Sequence, residues 1–303
     1  MSLSTLSVFS RRTLLASLVA VAAGALMPAF AAEFKSDRIS VTAEGAGSDV
    51  VLIHGLASSP RVWREMVAAV PGYRYHMVQI SGFAGQAKGG NTDGAVAAPV
   101  AEEIARYIAA RGLIKPAVIG HSMGGTIGMM LAGRHPDSLS RLMVVDMVPF
   151  LGALFAPPGA SATSVKPMAD AMLTQMRTSD PTARSMRNTA TINSMVDNVA
   201  MRPGALDDSV KSDPDVTARA YHELIVTDLA PELARINVPT TVLYVVPKVP
   251  GMTDEKIDGT YKASFAPLKN VTLKRIPTSA HFIMWDQPQQ FQSEVKAFLG
   301  QAK

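Results

Sequence analysis

The chain has 303 residues, 29 Lys and Arg against 25 Asp and Glu, a formal net charge of +4 and no cysteine. That length holds one sizeable domain, or a core with a modest insertion. The missing thiols exclude disulfides, a cysteine nucleophile and thiolate metal sites. With no lysine or arginine cluster, the slight basic excess gives no ground for a nucleic-acid partner.

Residues 1–31 read as an export signal of the twin-arginine type. Arg11 and Arg12 follow a serine, and an uncharged apolar run continues to Met27. Ala29-Phe30-Ala31 then has the small-x-small form of a cleavage site. The run is shorter than the ~20 residues a membrane span needs. The expectation is cleavage near Ala31 and Ala32 and a periplasmic or secreted mature chain with no stable membrane anchor.

From Arg38 onward, apolar runs alternate with helical patterns. "RISVTAEG" alternates like an edge strand, and "DVVLIHG" is a continuous apolar run ending in glycine, as a strand buried on both faces reads. "SPRVWREMVAAVPG" is helical and "YHMVQISG" a strand. "VAAPVAEEIARYIAARGL" carries apolar residues at helical spacing and stops at Gly112. "PAVIG" is a strand, "MGGTIGMMLAGRHP" a helix stopped by Pro136, and "RLMVVD" a strand. After a long interval come the strand "TTVLYVV", a helix over Asp254–Phe265, the strand "VTLKRI" and a last helix from Pro288 to Leu299. Strands alternating with helices predict an α/β fold, a parallel sheet covered on both faces.

The alternation breaks over 149–237, where no strand is legible. Helical patches there are punctuated by Pro157, Pro158, Pro167, Pro181, Pro203 and Pro214, and they predict a helical cap inserted in a core formed by 32–148 and 238–303. Met168, Met172 and Met176 recur at i, i+4 and i+8, and Met186, Met195 and Met201 follow. They suit the insertion's own packing, or an adaptable apolar lining for a substrate pocket.

Gly120-His121-Ser122-Met123-Gly124 follows a predicted strand and opens a predicted helix. This is the setting of a nucleophile elbow, in which a serine sits on a strained turn where strand and helix pass close together. Side chains at 120, 124 and 125 would collide there, and all three positions are glycine. The Met123 amide at the helix start would face a developing oxyanion, and the Leu56 amide after His54-Gly55 would supply a second donor. His54 itself reads as a structural turn residue. A serine hydroxyl needs a histidine base. His281, in the loop between the last strand and the last helix, is the candidate. His121 is adjacent to the serine, His76 lies in a strand, His135 ends a helix and His222 lies in the insertion. The six histidines form no metal-binding pair.

"HGLASSPRVW", "GHSMGG" and "HFIMWDQP", in this order, resemble the α/β-hydrolase fold serine hydrolases. The resemblance covers the chain from Arg38 onward, with the insertion matching that family's cap. It implies an eight-stranded, mostly parallel sheet with helices on both faces, a Ser-His-acid triad and no cofactor. The sequence departs from the family at the acid. Most relatives carry an aspartate soon after the next-to-last core strand, whereas here Lys248, Val249 and Pro250 occupy that place and the first acid is Asp254. Some relatives, dehalogenases among them, carry the acid where Asp146 stands, in a similar D-x-x-P setting. Asp146 is therefore the preferred third member, Asp254 the alternative, and Asp286 is expected to face the last helix. A second departure is "QISGFAG", with Gln79 and Ala84 where many relatives have aspartate and glycine.

These features predict a serine hydrolase, carboxylesterase-like, acting on a small-molecule ester with an apolar acyl or alcohol part through an acyl-enzyme. A serine nucleophile argues against dehalogenase and epoxide hydrolase chemistry. The same triad could instead cleave a lactone, amide or carbon–carbon bond or perform perhydrolysis. A non-catalytic binding protein on this fold and a membrane-surface lipase are further alternatives.

Overall fold

Seven segments with the apolar runs described above pair into one sheet, in the order β1-β3-β2-β4-β5-β6-β7. The computed structural model describes residues 34–157 and 159–300, together with Met1. The export signal read in 1–31 therefore lies outside the described residues. In chain order the elements are β1 (Ile39–Gly45), β2 (Ser48–Ile53), α1 (Arg64–Ala69), β3 (Tyr73–Ile80), α2 (Ala97–Ala110), β4 (Ala117–His121), α3 (Met123–Arg134) and β5 (Arg141–Val145). Then come α4 (Ala162–Thr178), α5 (Pro181–Met195), α6 (Arg202–Lys211), α7 (Pro214–Val226) and α8 (Ala230–Leu233). The chain ends with β6 (Thr240–Tyr244), α9 (Asp254–Ser264), β7 (Val271–Arg275), α10 (Ile283–Asp286) and α11 (Pro288–Gly300).

β1 runs antiparallel to β3, and every other pairing is parallel. The seven strands are one fewer than the eight that the family resemblance implies. Among the described residues no strand precedes Ile39, so β1 is itself the sheet edge, and its burial falls away after Ile39 as an edge strand's should. β4, β5 and β6 are buried at every position, because helices cover both faces.

The two-residue strand period divides the core. Val51, Ile53, Val118, Val144 and Val242 point to one face, where they meet Ile104 of α2, Ile127 of α3 and Phe265. Val50, Leu52, Ile119, Met143, Val145 and Leu243 point to the other, against Trp63, Trp285, Phe291 and Phe298. Each such aliphatic side chain contributes roughly 1.5–3 kcal/mol on burial.

Between β5 and β6 the chain is helical, as the insertion's composition predicts. Its prolines have specific uses. Pro181 and Pro214 open α5 and α7, with Asp180 and Asp213 each accepting two backbone N–H bonds as N-caps. Proline is tolerated at the first helical position because the N–H it lacks would have no intrahelical acceptor. Pro167, read above as a break, lies inside α4. It sits in the second turn, and the capping box of Ser161 and Ser164 secures the helix start ahead of it. Met168 and Met172 pack with Phe150, Val165, Ala169 and Ile225 in the seam between α4 and α7. These two methionines belong to the insertion's own packing.

One residue of the insertion organises the core directly. Val96 at the start of α2 offers no side-chain cap. Glu223 of α7 supplies one, accepting the amides of Val96 at 2.6 Å, Ala97 at 2.7 Å and Ala98 at 2.8 Å. A carboxylate on three amides at a helix N-terminus offsets its own desolvation.

Candidate active site

β4 ends at His121 and α3 begins at Met123, so Ser122 alone makes the turn between strand and helix. Its backbone lies at φ 54 and ψ −122. A non-glycine residue there costs on the order of 1–3 kcal/mol and persists only where its surroundings fix it. Here they do. The Ser122 amide donates to the Val145 carbonyl at 2.9 Å, and its carbonyl accepts from the Gly125 amide at 2.7 Å. A Cβ on Gly120 would strike the Gly124 carbonyl, and one on Gly124 would strike the carbonyls of Ile53 and His54. Both obstacles are backbone and cannot yield, which explains the glycines on either side of the serine.

The turn after β2 abuts this elbow. A Cβ on Gly55 would lie 3.1 Å from the Ser122 Cβ and 3.2 Å from His121 Nδ1. Leu56 therefore follows the point of closest approach to the serine, and Ala57 beyond it has φ 48. His54 anchors the turn's start. Its Nε2 accepts the Ile80 amide at 3.2 Å, so the proton is on Nδ1, which donates to the Gly55 carbonyl at 2.8 Å.

Complete burial pushes the His54 pKa from 6.5 down to about 4. The sign of the linkage follows. The unfolded chain takes up this proton as pH falls below 6.5 and the folded chain does so only near pH 4, so folding is destabilised progressively across that window. His121, also lowered by burial, acts in the same direction. The expected result is an unfolding free energy, read from urea titration, that declines between pH 6.5 and about 4 by on the order of 3 kcal/mol from His54 alone, with the midpoint falling accordingly. A midpoint that is flat across that interval would contradict a neutral, buried His54.

Asp146 follows β5 with φ 53. Its amide donates to the Leu243 carbonyl at 2.7 Å. Its Oδ1 accepts the Val245 amide at 3.1 Å and the Tyr261 hydroxyl at 3.2 Å. Burial, with Asp146 adding to it, holds the Tyr261 pKa well above its ordinary value, so this hydroxyl stays a neutral donor. The other oxygen, Oδ2, lies 2.6 Å from His281 Nδ1. The His281 and Asp146 side chains keep 20% and 11% exposure, enough for the imidazole to be reached from outside.

The structure thus brings Asp146 to His281 and places Asp254 elsewhere. Asp254 opens α9 and pairs with Arg275 at 2.5 Å. The other histidines have their own partners: His76 binds Asp49 and Tyr107, His135 binds Glu102, and His222 binds Asp170.

Two contributions escaped the sequence reading. His121 is not merely a neighbour of the serine. It is buried, its Nε2 donates to the His281 carbonyl at 3.1 Å, and the two rings lie 4.6 Å apart. Burial, and then the charge His281 would carry, hold its pKa well below 6.5, so it stays neutral. Asp286, expected to face the last helix, instead holds the loop that carries His281. Its Oδ2 accepts the Ala280 amide at 2.9 Å, while Oδ1 accepts the amides of Asp197 and Asn198 at 2.9 and 2.8 Å. The Phe282 amide also donates to the Met195 carbonyl at 3.2 Å. No local pattern announces either contact. Of the two departures, Gln79 lies near the end of β3, where its side chain donates to the Ile80 carbonyl, and Ala84 lies in the loop after β3 with φ 50. Among the described residues no cluster of three His, Cys, Asp or Glu is placed to hold a metal ion.

A family model described as "Alpha/beta hydrolase family" matches residues 50–293, from β2 to the last helix. The chain belongs to the alpha/beta hydrolase family. Two relatives of this hydrolase carry the name pimeloyl-(acyl-carrier protein) methyl ester esterase. The protein from Pectobacterium atrosepticum is 24% identical over 257 residues, 84% of this chain and 96% of its own length. The protein from Aliivibrio salmonicida is 35% identical over 111 residues, 36% of this chain and 40% of its own. Among solved structures, a hydrolase from Pseudomonas aeruginosa PA01 superposes with a TM-score of 0.71 at 17% identity, covering 87% of this hydrolase and 94% of that chain. That last likeness speaks for the fold.

Proposed function

We propose that this hydrolase cleaves carboxylic esters through Ser122, His281 and Asp146. The observation that carries the reading is the 2.6 Å contact between His281 Nδ1 and Asp146, made at the strand ends beside a serine held at φ 54. With Nδ1 donating to the carboxylate, His281 Nε2 is left as the acceptor that a serine hydroxyl requires. Ser122 Oγ attacks the ester carbonyl as Nε2 takes its proton, and Asp146 stabilises the imidazolium. Met123 opens α3, so its N–H has no intrahelical acceptor. With the Leu56 amide it would receive the oxyanion, and such donors are worth about 3 kcal/mol each. His281 returns the proton to the leaving alcohol. It then activates a water that releases the acid from the acyl-Ser122 intermediate.

Leu56 follows Gly55, which closely approaches Ser122, and the buried Met147 follows Asp146 and packs against Gly125. They support a substrate with an apolar acyl or alcohol part. The two relatives named as methyl ester esterases support an ester as the bond cleaved. The test is p-nitrophenol release from esters of graded acyl length. Turnover is expected with short and medium acyl chains. Folded enzyme that leaves every ester intact would contradict the ester reading.

A further inference from the structure

The turn that carries Leu56 is pinned at two ends by different parts of the molecule. His54 fixes its start to the core, as described above. Its far end is Ser59, which caps the 3-10 turn Pro60–Trp63 by accepting the Arg61 amide. Ser59 Oγ donates at 2.5 Å to Asp208 Oδ2. Asp208 belongs to α6, in the insertion, and is only 3% exposed. Its other oxygen lies 3.1 Å from Arg61 Nη2, which also reaches Asp207 at 3.2 Å. The C-terminal end of the same helix grips the loop after β3. Lys211 and Ser212 accept the amides of Gly85 and Ala84 at 3.1 and 2.9 Å, and the Asp213 amide donates to the Gly82 carbonyl at 2.7 Å.

A buried carboxylate is a costly way to fasten two elements, since an apolar contact of similar size would hold them with no desolvation penalty. What it provides instead is direction. Between the two pins lies Ala57 at φ 48, a strained residue immediately after Leu56. An oxyanion donor contributes in proportion to how well it is aimed before reaction, because reorienting it during reaction gives back the gain. We propose that Asp208 is a positioning residue for the oxyanion hole: by holding Ser59 and Arg61 it fixes the turn's far end and so aims the Leu56 amide. The insertion then takes part in stabilising the transition state. The proposal rests on the oxyanion role given to Leu56 above.

The experiment compares wild type, Ser59→Ala, Asp208→Ala and the double variant on p-nitrophenyl butyrate. It also measures inhibition by an alkyl trifluoromethyl ketone, whose hemiketal oxygen would occupy the oxyanion hole. Each single variant is expected to lower kcat by about tenfold while KM moves by less than about twofold. The double variant should be no worse than Asp208→Ala, because both changes cut the same link. Affinity for the ketone should fall by the same factor as kcat, with affinity for a plain alkyl alcohol unchanged. Ser59→Ala removes one hydroxyl and leaves the carboxylate on Arg61, so it carries the test if Asp208→Ala fails to fold. Arg177→Ala, which cuts the outer pair with Asp215, should leave kcat intact. The proposal is overturned if folded variants keep wild-type kcat, if the loss appears in KM alone, if the two losses add, or if Arg177→Ala matches them. Any of these, with wild-type turnover present, leaves the triad standing. Absence of wild-type turnover on any ester overturns the triad reading, and the positioning role with it.

Discussion

Ser122→Ala is expected to reduce ester hydrolysis by roughly 10⁴-fold or more in kcat/KM while leaving the fold intact. Ser122, the proposed nucleophile, sits at the one position where β4 becomes α3. Alanine has no larger a Cβ than serine, so the strained turn at φ 54 and the amide bond to Val145 at 2.9 Å persist. The variant separates chemistry from stability for that reason. Its melting temperature should stay within a few degrees of wild type. p-Nitrophenol release should fall to the level set by the oxyanion donors and binding alone. A variant that kept a tenth of wild-type activity would remove Ser122 from the reaction.

Asp146→Asn against Asp254→Asn is expected to give the second largest contrast. The carboxylate at 146 receives three donors: His281 Nδ1 on one oxygen, and the Val245 amide and Tyr261 hydroxyl on the other. An asparagine has only one oxygen to offer. Turned toward Val245 and Tyr261, that oxygen leaves the –NH₂ facing His281. Nδ1 must then become the acceptor, and Nε2 carries the proton that it should be taking from Ser122. Turned toward His281, it leaves the –NH₂ confronting two donors. Either orientation also removes the charge that stabilises the imidazolium. A loss of about 10³–10⁴ in kcat follows, with KM little changed. Asp254 is half exposed and paired with Arg275, and exposed ion pairs contribute at most about 1 kcal/mol. Asp254→Asn should therefore stay within about twofold of wild type in kcat. The reverse ranking in a pH-matched assay would move the triad's acid to Asp254.

Much of this arrangement was legible in the sequence because it is encoded locally. Each of the seven strands corresponds to an apolar run visible in the chain, and α9 and α11 begin at the residues read as their starts, Asp254 and Pro288. The eighth strand came from the family resemblance, and no eighth apolar run was read in the chain. The elbow could be read because three glycines must surround a serine there, a constraint compressed into six consecutive residues. Asp146 was harder. Its role depends on which strand end lies nearest His281, a matter of sheet order, and the resemblance made it the preferred acid while keeping Asp254 as the alternative. The bonds that tie the insertion to the core left no mark at all. Ser59 meets Asp208 across 149 positions, and Glu223 meets Val96 across 127. Single polar residues at such separations follow no periodicity. His121 escaped for a different reason. Adjacency to the serine suggested that its side chain pointed elsewhere, whereas the sharp turn at Ser122 sets the ring of His121 against that of His281.

The measurement that tests the central claim most directly is covalent. The folded protein would be treated with a fluorophosphonate, digested, and the modified peptide located by mass spectrometry. One adduct per chain on Ser122 is the expected result, with labelling abolished by Ser122→Ala and strongly slowed in a His281→Ala variant. An adduct on another residue, or none on folded protein, would contradict the assignment of Ser122 as a nucleophile activated by His281.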